Sequence, residues 1–406
     1  MNEYELLARS ALATVWVNAL GRRSRRFRSP RGILVVKLDH LGDVILATPA
    51  LRALRDAHSG VPIEAIVRPG SEALLEGSPL VDRIHLYDAP RYRRPAGGVA
   101  PTPAEVRLAE ADAKGARASL LRSLAGRPHD WIVEFRGDEW TAGELLRVLR
   151  PARRFDRGTV RLRDWLSRRA GRLRGRRTPP PLHEVESNLA LLEGAIPRWP
   201  DAPRVEAPPW PHAALELERL ARESAPGFDL AKPYVVVQLG ATWTPRAWRP
   251  EAFGAVAAAL RAAYDAHVVV VGTAEDAPLR GRFTAGGGPS DASFFWGTLS
   301  ISALGALLRR ARLFVGSDGG VAHLAAACGA PSIVLFGPQN PARFRPWGSG
   351  VRVLHHPVEC YPCAQGVCVR AANPCVNLVT VEEVLDAAKA LAPPETSRTE
   401  RDPARP

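Results

Sequence analysis

The sequence predicts an α/β protein built from two doubly wound, Rossmann-like domains. Short, continuously apolar runs alternate with segments of helical periodicity, the pattern of a parallel sheet covered by helices on both faces. The alternation stops at a proline-rich stretch, 197–211, and then restarts. The chain has 406 residues, more than one hydrophobic core usually holds, so two domains are expected.

In the first half, Gly32–Leu38 (GILVVKL) reads as a buried strand. A loop of Asp39-His40-Leu41-Gly42-Asp43 follows, then a helix over Val44–Ala57 with Pro49 in its early part. Further strands are predicted at Pro62–Val67, Val81–Tyr87 and Asp130–Phe135, the last running into Arg136-Gly137-Asp138. Residues 90–127 break the rhythm and read as an insertion carrying a helix. Residues 150–177 hold twelve arginines and read as a solvated basic helix or loop. Proline content makes 197–211 the best linker.

The second half gives strands at Tyr234–Leu239, Val268–Val271, around Phe294–Phe295, at Leu313–Val315 and at Ser332–Phe336. Helices are expected at Pro250–Tyr264, Ile301–Arg310, Gly320–Cys328 and Val381–Leu391. The expected organisation is an amphipathic and basic segment over 1–31, one domain over 32–205, a second over 206–391 and a disordered tail over 392–406. Open parallel sheets bind ligands at the carboxyl ends of their strands, so chemistry is expected in the loops there, facing a cleft between domains.

Composition narrows the class. Hydrophobic residues make up 46% and the formal net charge is +13, from 55 Lys plus Arg against 42 Asp plus Glu. That excess favours anionic partners: phosphorylated substrates, an anionic membrane face or nucleic acid. Membrane spans need about 20 apolar residues, and no stretch supplies them. The basic cluster at Arg22–Arg28 follows the apolar run instead of preceding it, unlike a secretory signal, so a cytoplasmic protein is expected. Residues 4–20 have helical apolar spacing and run into that cluster. Two readings are open: a helix lying on an anionic membrane surface, or one packed on its domain.

Four loops carry residues suited to chemistry. Gly42 allows a tight turn, and Asp43 beside a helix start is an ionised carboxylate able to take a proton from a sugar hydroxyl; capping the helix is the alternative. No G-x-G-x-x-G follows the first strand, which argues against an oxidoreductase. Second, Asp318-Gly319-Gly320 with His323 opens a helix, where peptide N–H groups suit a pyrophosphate and Asp318 suits sugar hydroxyls. Third, Thr242, Thr244 and Arg246 offer hydroxyl and guanidinium donors to phosphate oxygens. Fourth, Glu275 after another strand is placed to hold a ribose or base; starting a helix is its alternative.

Cys360, Cys363, Cys368 and Cys375 fall within sixteen residues. In a reducing compartment such a cluster suggests a structural metal or buried thiols before disulfides.

Two long segments together resemble glycosyltransferase family 9, the ADP-heptose:lipopolysaccharide heptosyltransferases. They are ILVVKLDHLGDVILATPALRALR and FWGTLSISALGALLRRARLFVGSDGGVAHLAAACGAPSIVLFGP, in the family's order, within a similarity running over 32–391. The resemblance implies a GT-B architecture: an acceptor-binding domain over 32–205 and a nucleotide-sugar-binding domain over 206–391. It implies inverting, metal-independent transfer from ADP-heptose or a similar nucleotide sugar to a lipid-linked glycan such as lipopolysaccharide, at the inner face of the cytoplasmic membrane. By motif, Asp43 would be the general base, with Gly42 in the acceptor-side loop. Asp318, Gly319, Gly320, His323, Thr242 and Thr244 would hold the donor's phosphates and sugar, and Glu275 would contact its nucleoside. No cofactor is implied for catalysis. In one departure, Arg246 replaces the family's usual Lys, and Arg249 separates Trp248 from Pro250.

Two rival readings come from other classes. A non-catalytic binder of anionic polymer or membrane could use the arginines of 150–177, although only Phe155 and Trp165 interleave there, too few for a single-strand reader. Nucleic acid is therefore not an expected partner. Another nucleotide-sugar enzyme of the same fold, such as an epimerase, would need no lipid acceptor.

Overall fold

The computed structural model describes residues 29–90, 113–135, 145–157, 181–241, 243–361, 363 and 368–393, with single positions at 14, 105, 108, 109, 111 and 160. The amphipathic segment 4–20 apart from Thr14, the basic cluster after it, Arg136-Gly137-Asp138, most of the Arg-rich stretch beyond Arg157, Thr242 and the tail beyond Pro393 lie outside the described residues. The chain divides into two compact units, 1–95 with 100–208, and 96–99 with 209–406.

The first unit holds a sheet of five parallel strands: β1 (Ile33–Lys37), β2 (Ile63–Val67), β3 (Arg83–Leu86), β4 (Trp131–Glu134) and β5 (Arg153–Asp156), in the order β3-β2-β1-β4-β5. Its helices are α1 (Leu41–Ile45), α2 (Thr48–Ala57), α3 (Lys114–Leu124), α4 (Leu146–Leu149) and α5 (Glu184–Leu191). Strands β1 and β2 are buried along their whole length, as their apolar runs predict.

Instead of one helix over Val44–Ala57, the chain forms α1 and α2, broken at Leu46-Ala47. Pro49 explains the break. Lacking an N–H, it is tolerated in a first helical turn but not in an interior, and it sits in the first turn of α2. Thr48 fixes the junction: its hydroxyl donates to the Ile45 carbonyl at 2.7 Å and accepts the Glu206 N–H at 2.9 Å. Glu206 also receives Arg52 through two hydrogen bonds, which ties the proline-rich stretch to α2.

The basic stretch 150–177 is only partly solvated where it is described: Arg150 is exposed, but Arg154 and Arg157 are buried. Strand β5 runs through it, and Arg154 is fully buried and ion-paired with Glu134 on β4. A strand written RRFD shows no apolar run, which hid it from the periodicity argument.

The second unit holds six parallel strands: β6 (Tyr234–Gln238), β7 (His267–Gly272), β8 (Ser293–Trp296), β9 (Leu313–Ser317), β10 (Ser332–Phe336) and β11 (Val351–His355), in the order β11-β10-β9-β6-β7-β8. This is the doubly wound order of dinucleotide-binding sheets. Helices α6 (Ala213–Ser224), α7 (Pro250–Tyr264), α8 (Leu279–Ala285), α9 (Ile301–Arg310), α10 (Gly320–Ala327), α11 (Pro341–Phe344) and α12 (Val381–Leu391) complete the unit. Phe253, Val256, Ala257 and Leu260 of α7 pack with Val384 and Ala388 of α12 and with Val235, Val237, Val268 and Val270 of the sheet in one core. Pro250 opens α7, and Asp265 closes it in the left-handed region at φ 44°, a place Asp tolerates better than most residues.

Two tests follow for the first unit. Arg154→Ala leaves the Glu134 carboxylate buried without its partner, and loss of one member of such a pair costs about 3–5 kcal/mol; chemical denaturation measures it, and a loss near zero would contradict the burial. Glu64 on β2 lies 2.7 Å from His85 Nε2, 3.0 Å from Arg127 and 3.3 Å from His129 Nε2. Burial alone would raise its carboxyl, but His85, His129 and Arg127 outweigh burial and hold it below the usual range. Burial lowers the His129 imidazole below its usual value, against the pull of Glu64. Both shifts are downward, so both contributions are present at neutral pH and are lost on acidification. The denaturation midpoint is expected to fall as pH drops from about 6.5 toward about 4, and more steeply in Glu64→Gln, which removes the carboxylate that pulls the His129 imidazole back up; equal stability across that range would refute the assignment.

Candidate functional site

In each sheet the strand order reverses once, between β1 and β4 and between β6 and β9. Crossovers leave in opposite directions at such a point, and the loops at the strand carboxyl ends part to form a ligand crevice. Gly42 and Asp43 lie at the first of these places, and Thr244, Arg246, Asp318, Gly319, Gly320 and His323 at the second.

In the first unit, Asp43 sits in the loop and helix that follow β1. It is the third residue of α1, whose cap position is His40 with no side-chain cap bond. Capping is therefore not the work of Asp43. Its N–H donates to the His40 carbonyl at 3.0 Å. Its carboxylate makes no hydrogen bond or ion pair among the described residues and is half-buried. Gly42 is buried, and its carbonyl accepts the Leu46 N–H at 3.0 Å.

The frame around this loop is charged, which sequence reading missed. Lys37 ends β1 buried and pairs at 2.6 Å with Asp39, itself buried. On the neighbouring strand end, Arg68 meets His40 Nδ1 at 3.2 Å and Asp88 at 3.5 Å. Below α1, Asn188 donates to the Leu46 carbonyl at 3.0 Å, while Arg157 pairs with Glu184 and donates to the Phe135 carbonyl at 3.0 Å and to Asn188 at 3.4 Å. Arg157 thus ties the end of β4 to α5 and, through Asn188, to the α1–α2 junction. The only sequence signal for it is its place inside an arginine-rich run, which points the wrong way.

In the second unit the reversal brings together the loop after β6 and the loop after β9. Thr244, Pro245 and Arg246 form one 3₁₀ turn. Arg246 lies 3.4 Å from Asp318, with side chains 12% and 5% exposed. Gly319 caps α10, Gly320 begins it, and His323 lies buried in its first turn. Strand β9 extends two residues further than predicted, taking in Gly316 and Ser317. Arg246, Asp318, Gly319, Gly320 and His323 therefore share one sheet edge. Thr244 is exposed. Thr242 lies outside the described residues.

Glu275 belongs to the next loop, after β7, in a 3₁₀ turn Ala274–Asp276. It accepts from the Thr273 hydroxyl at 3.3 Å, while Asp276 takes the Thr273 N–H at 2.7 Å. Gly240 is required where it is: a Cβ there would stand 2.1 Å from the Asp276 carboxylate oxygens. The loop after β6 thereby lies directly against the loop after β7.

The four clustered cysteines line a single cavity of about 290 Å³, together with Pro245, Gly337, His356 and Tyr361. All are free thiols. Among the described residues, no group of three or more His, Cys, Asp or Glu is set to hold a metal ion. Burial, with Cys368 and Cys360 nearby, raises the Cys375 thiol above its ordinary value. The 3₁₀ turn beginning at Cys375 (Cys375–Leu378) packs behind the Thr244–Arg246 turn, and the Trp248 indole N–H donates to the Val379 carbonyl at 3.0 Å.

Residues 165–372 match the sequence pattern of glycosyltransferase family 9 (heptosyltransferase). The chain is 27% identical over 342 residues to lipopolysaccharide heptosyltransferase 1 of Pseudomonas aeruginosa, covering 83% of this chain and 87% of that protein. Among solved structures it is similar to a family 9 glycosyl transferase from Veillonella parvula, with TM-score 0.66, 18% identity, and 90% and 98% of the two chains covered. It is also similar to the ADP-heptose lps heptosyltransferase II of E. coli, with TM-score 0.62, 18% identity, and 89% and 98% covered. The two-domain fold of parallel sheets is of the GT-B type.

Thiol reactivity follows exposure and thiolate content. Cys360 is exposed, whereas burial pushes the Cys328 thiol up to about 11. Brief maleimide labelling at neutral pH, read by peptide mass spectrometry, is expected to modify Cys360 well ahead of the half-buried Cys328; equal labelling would overturn the raised Cys328 thiol.

Proposed function

The chain belongs to glycosyltransferase family 9, and from that premise we propose that Asp43 activates the acceptor hydroxyl while the β6–β9 edge of the second unit holds the donor. The enzyme is an inverting glycosyltransferase that moves a heptose or related sugar from a nucleotide diphosphate to a membrane glycan. ADP-heptose as the donor and a lipopolysaccharide-type acceptor are the identities this reading favours. Relatives named for lipopolysaccharide and for ADP-heptose support them.

Two charge problems define the reaction. The acceptor hydroxyl attacks the anomeric carbon opposite the departing diphosphate, so its proton must leave and negative charge must be held on phosphate oxygens. The Asp43 carboxylate, with no partner among the described residues, answers the first as a general base. Arg246, the peptide N–H groups at Gly319-Gly320, His323 and the Thr244 hydroxyl answer the second by preorganised donors, and the family resemblance adds the Thr242 hydroxyl. Arginine presents five N–H donors in a planar fork, so contact with Asp318 is compatible with contacts to phosphate. Glu275, one strand further along the sheet, is placed for the nucleoside.

The gathering of Arg246, Asp318, Gly319, Gly320 and His323 at the strand-order reversal carries this reading. Asp43 and the donor residues belong to different units. No described helix is long and apolar enough to cross a membrane. A lipid-linked acceptor is reached from the surface in this reading, at the cytoplasmic face, with the basic segment before residue 29 meeting anionic headgroups.

Asp43→Asn is expected to lower kcat by about 10²- to 10⁴-fold, the usual worth of a general base, with ADP affinity by calorimetry within about twofold. Turnover near the wild-type rate would exclude Asp43 as the base.

A further inference from the structure

The structure assigns a positioning role to Trp243: its indole face holds Arg246 in the orientation that receives the donor's diphosphate. This inference rests on the reading of the β6–β9 edge as the donor site. Trp243 and Arg246 are three residues apart at the two ends of one 3₁₀ turn. The Arg246 N–H donates to the Trp243 carbonyl at 2.9 Å, and the Ala247 N–H to Thr244 at 3.0 Å. Side chains at i and i+3 eclipse in such a turn, so the backbone itself lays the arginine over the tryptophan. The guanidinium carbon stands 5.0 Å from the indole centroid, within cation–π range.

The guanidinium has a second contact, 3.4 Å from Asp318. A carboxylate alone fixes one nitrogen and leaves the plane free to rotate about the contact. Stacking on an aromatic face fixes the plane as well, and the in-plane N–H groups then point in set directions. Pro245 stiffens the turn through its fixed φ. Its carbonyl is met so closely by Gly337 that a Cβ at that glycine would stand 3.1 Å away. The arginine is thus held from ring, carboxylate and backbone before any substrate arrives, and preorganisation of this kind lowers the ordering cost of binding.

An ammonium group cannot reproduce the arrangement. It is a point charge without a plane, more strongly hydrated than guanidinium, and it lacks the fork that serves carboxylate and phosphate together. Arg246 and the tryptophan three residues earlier are in this sense one device.

The test uses the full chain and its Trp243→Phe, Trp243→Leu and Arg246→Lys variants, with melting temperature checked for each. Calorimetry reads ADP binding, and initial rates read KM for the nucleotide sugar and kcat. Trp243→Leu is expected to weaken ADP binding and raise donor KM by about 5- to 10-fold, the scale of a partly desolvated cation–π contact, while kcat changes by less than about 3-fold. Trp243→Phe, which keeps an aromatic face, is expected to recover most of the affinity, and Arg246→Lys to resemble Trp243→Leu. Wild-type ADP affinity in Trp243→Leu, or equal losses in the Leu and Phe variants, would overturn the role of the ring. Failure of the wild-type chain to bind ADP would instead strike the donor-site reading beneath it.

Discussion

Every strand in both sheets runs parallel to its neighbours. Parallel strands cannot be joined by tight hairpins, so each connection must cross back over a face of the sheet. All strand ends of one polarity then fall along one edge, and the residues that follow them are neighbours without being near in sequence. The chain's chemistry depends on this constraint. Asp43 follows β1, Arg246 follows β6, Glu275 follows β7, and Asp318 follows β9. Strand order reverses once in each sheet, and the Arg246–Asp318 pair spans one of these reversals.

The positive excess of the sequence is only partly a surface property. Lys37, Arg154 and Arg157 are all buried, paired with Asp39, Glu134 and Glu184. Burying an ion is costly, and its partner and hydrogen bonds must offset that cost. These pairs gain little stability over apolar packing. They fix geometry instead, because a wrong arrangement would strand a charge. Arg157 shows this most directly, since it holds the end of β4 and the Leu46 region through Phe135 and Asn188.

Where apolar periodicity was the signal, the fold was legible. Strands β1, β6, β9 and β10 and helix α7 stand where continuous runs and Pro250 put them. Strand β5 escaped because RRFD carries a buried arginine that pairing with Glu134 satisfies, and β11 because VRVLH is a partly exposed edge strand whose Arg352 interrupts the apolar run. The first helix was mistaken for a longer one because Pro49 fits an apolar pattern while serving as a start. At the β6–β9 edge, glycines, Asp318 and His323 announced themselves by spacing, and their shared edge follows from topology. Trp243 did not, because an eclipsed i, i+3 contact belongs to a 3₁₀ turn that no periodicity marks. Lys37–Asp39 was equally silent: a lysine closing an apolar strand looks like a solvated end.

The register of the sheets also imposes an order of assembly. Ile33 pairs with Trp131, and Val235 with Leu313. Neither reversal point can exist until a long intervening stretch has been synthesised and has left the ribosome. Contacts of such separation carry their closure entropy before they return any stabilisation. During that interval β1 and β6, both almost wholly apolar, have one unpaired edge each. A nascent chain of this architecture is most vulnerable to intermolecular strand pairing just before residues 131 and 313 emerge, which is where a chaperone would have most to protect.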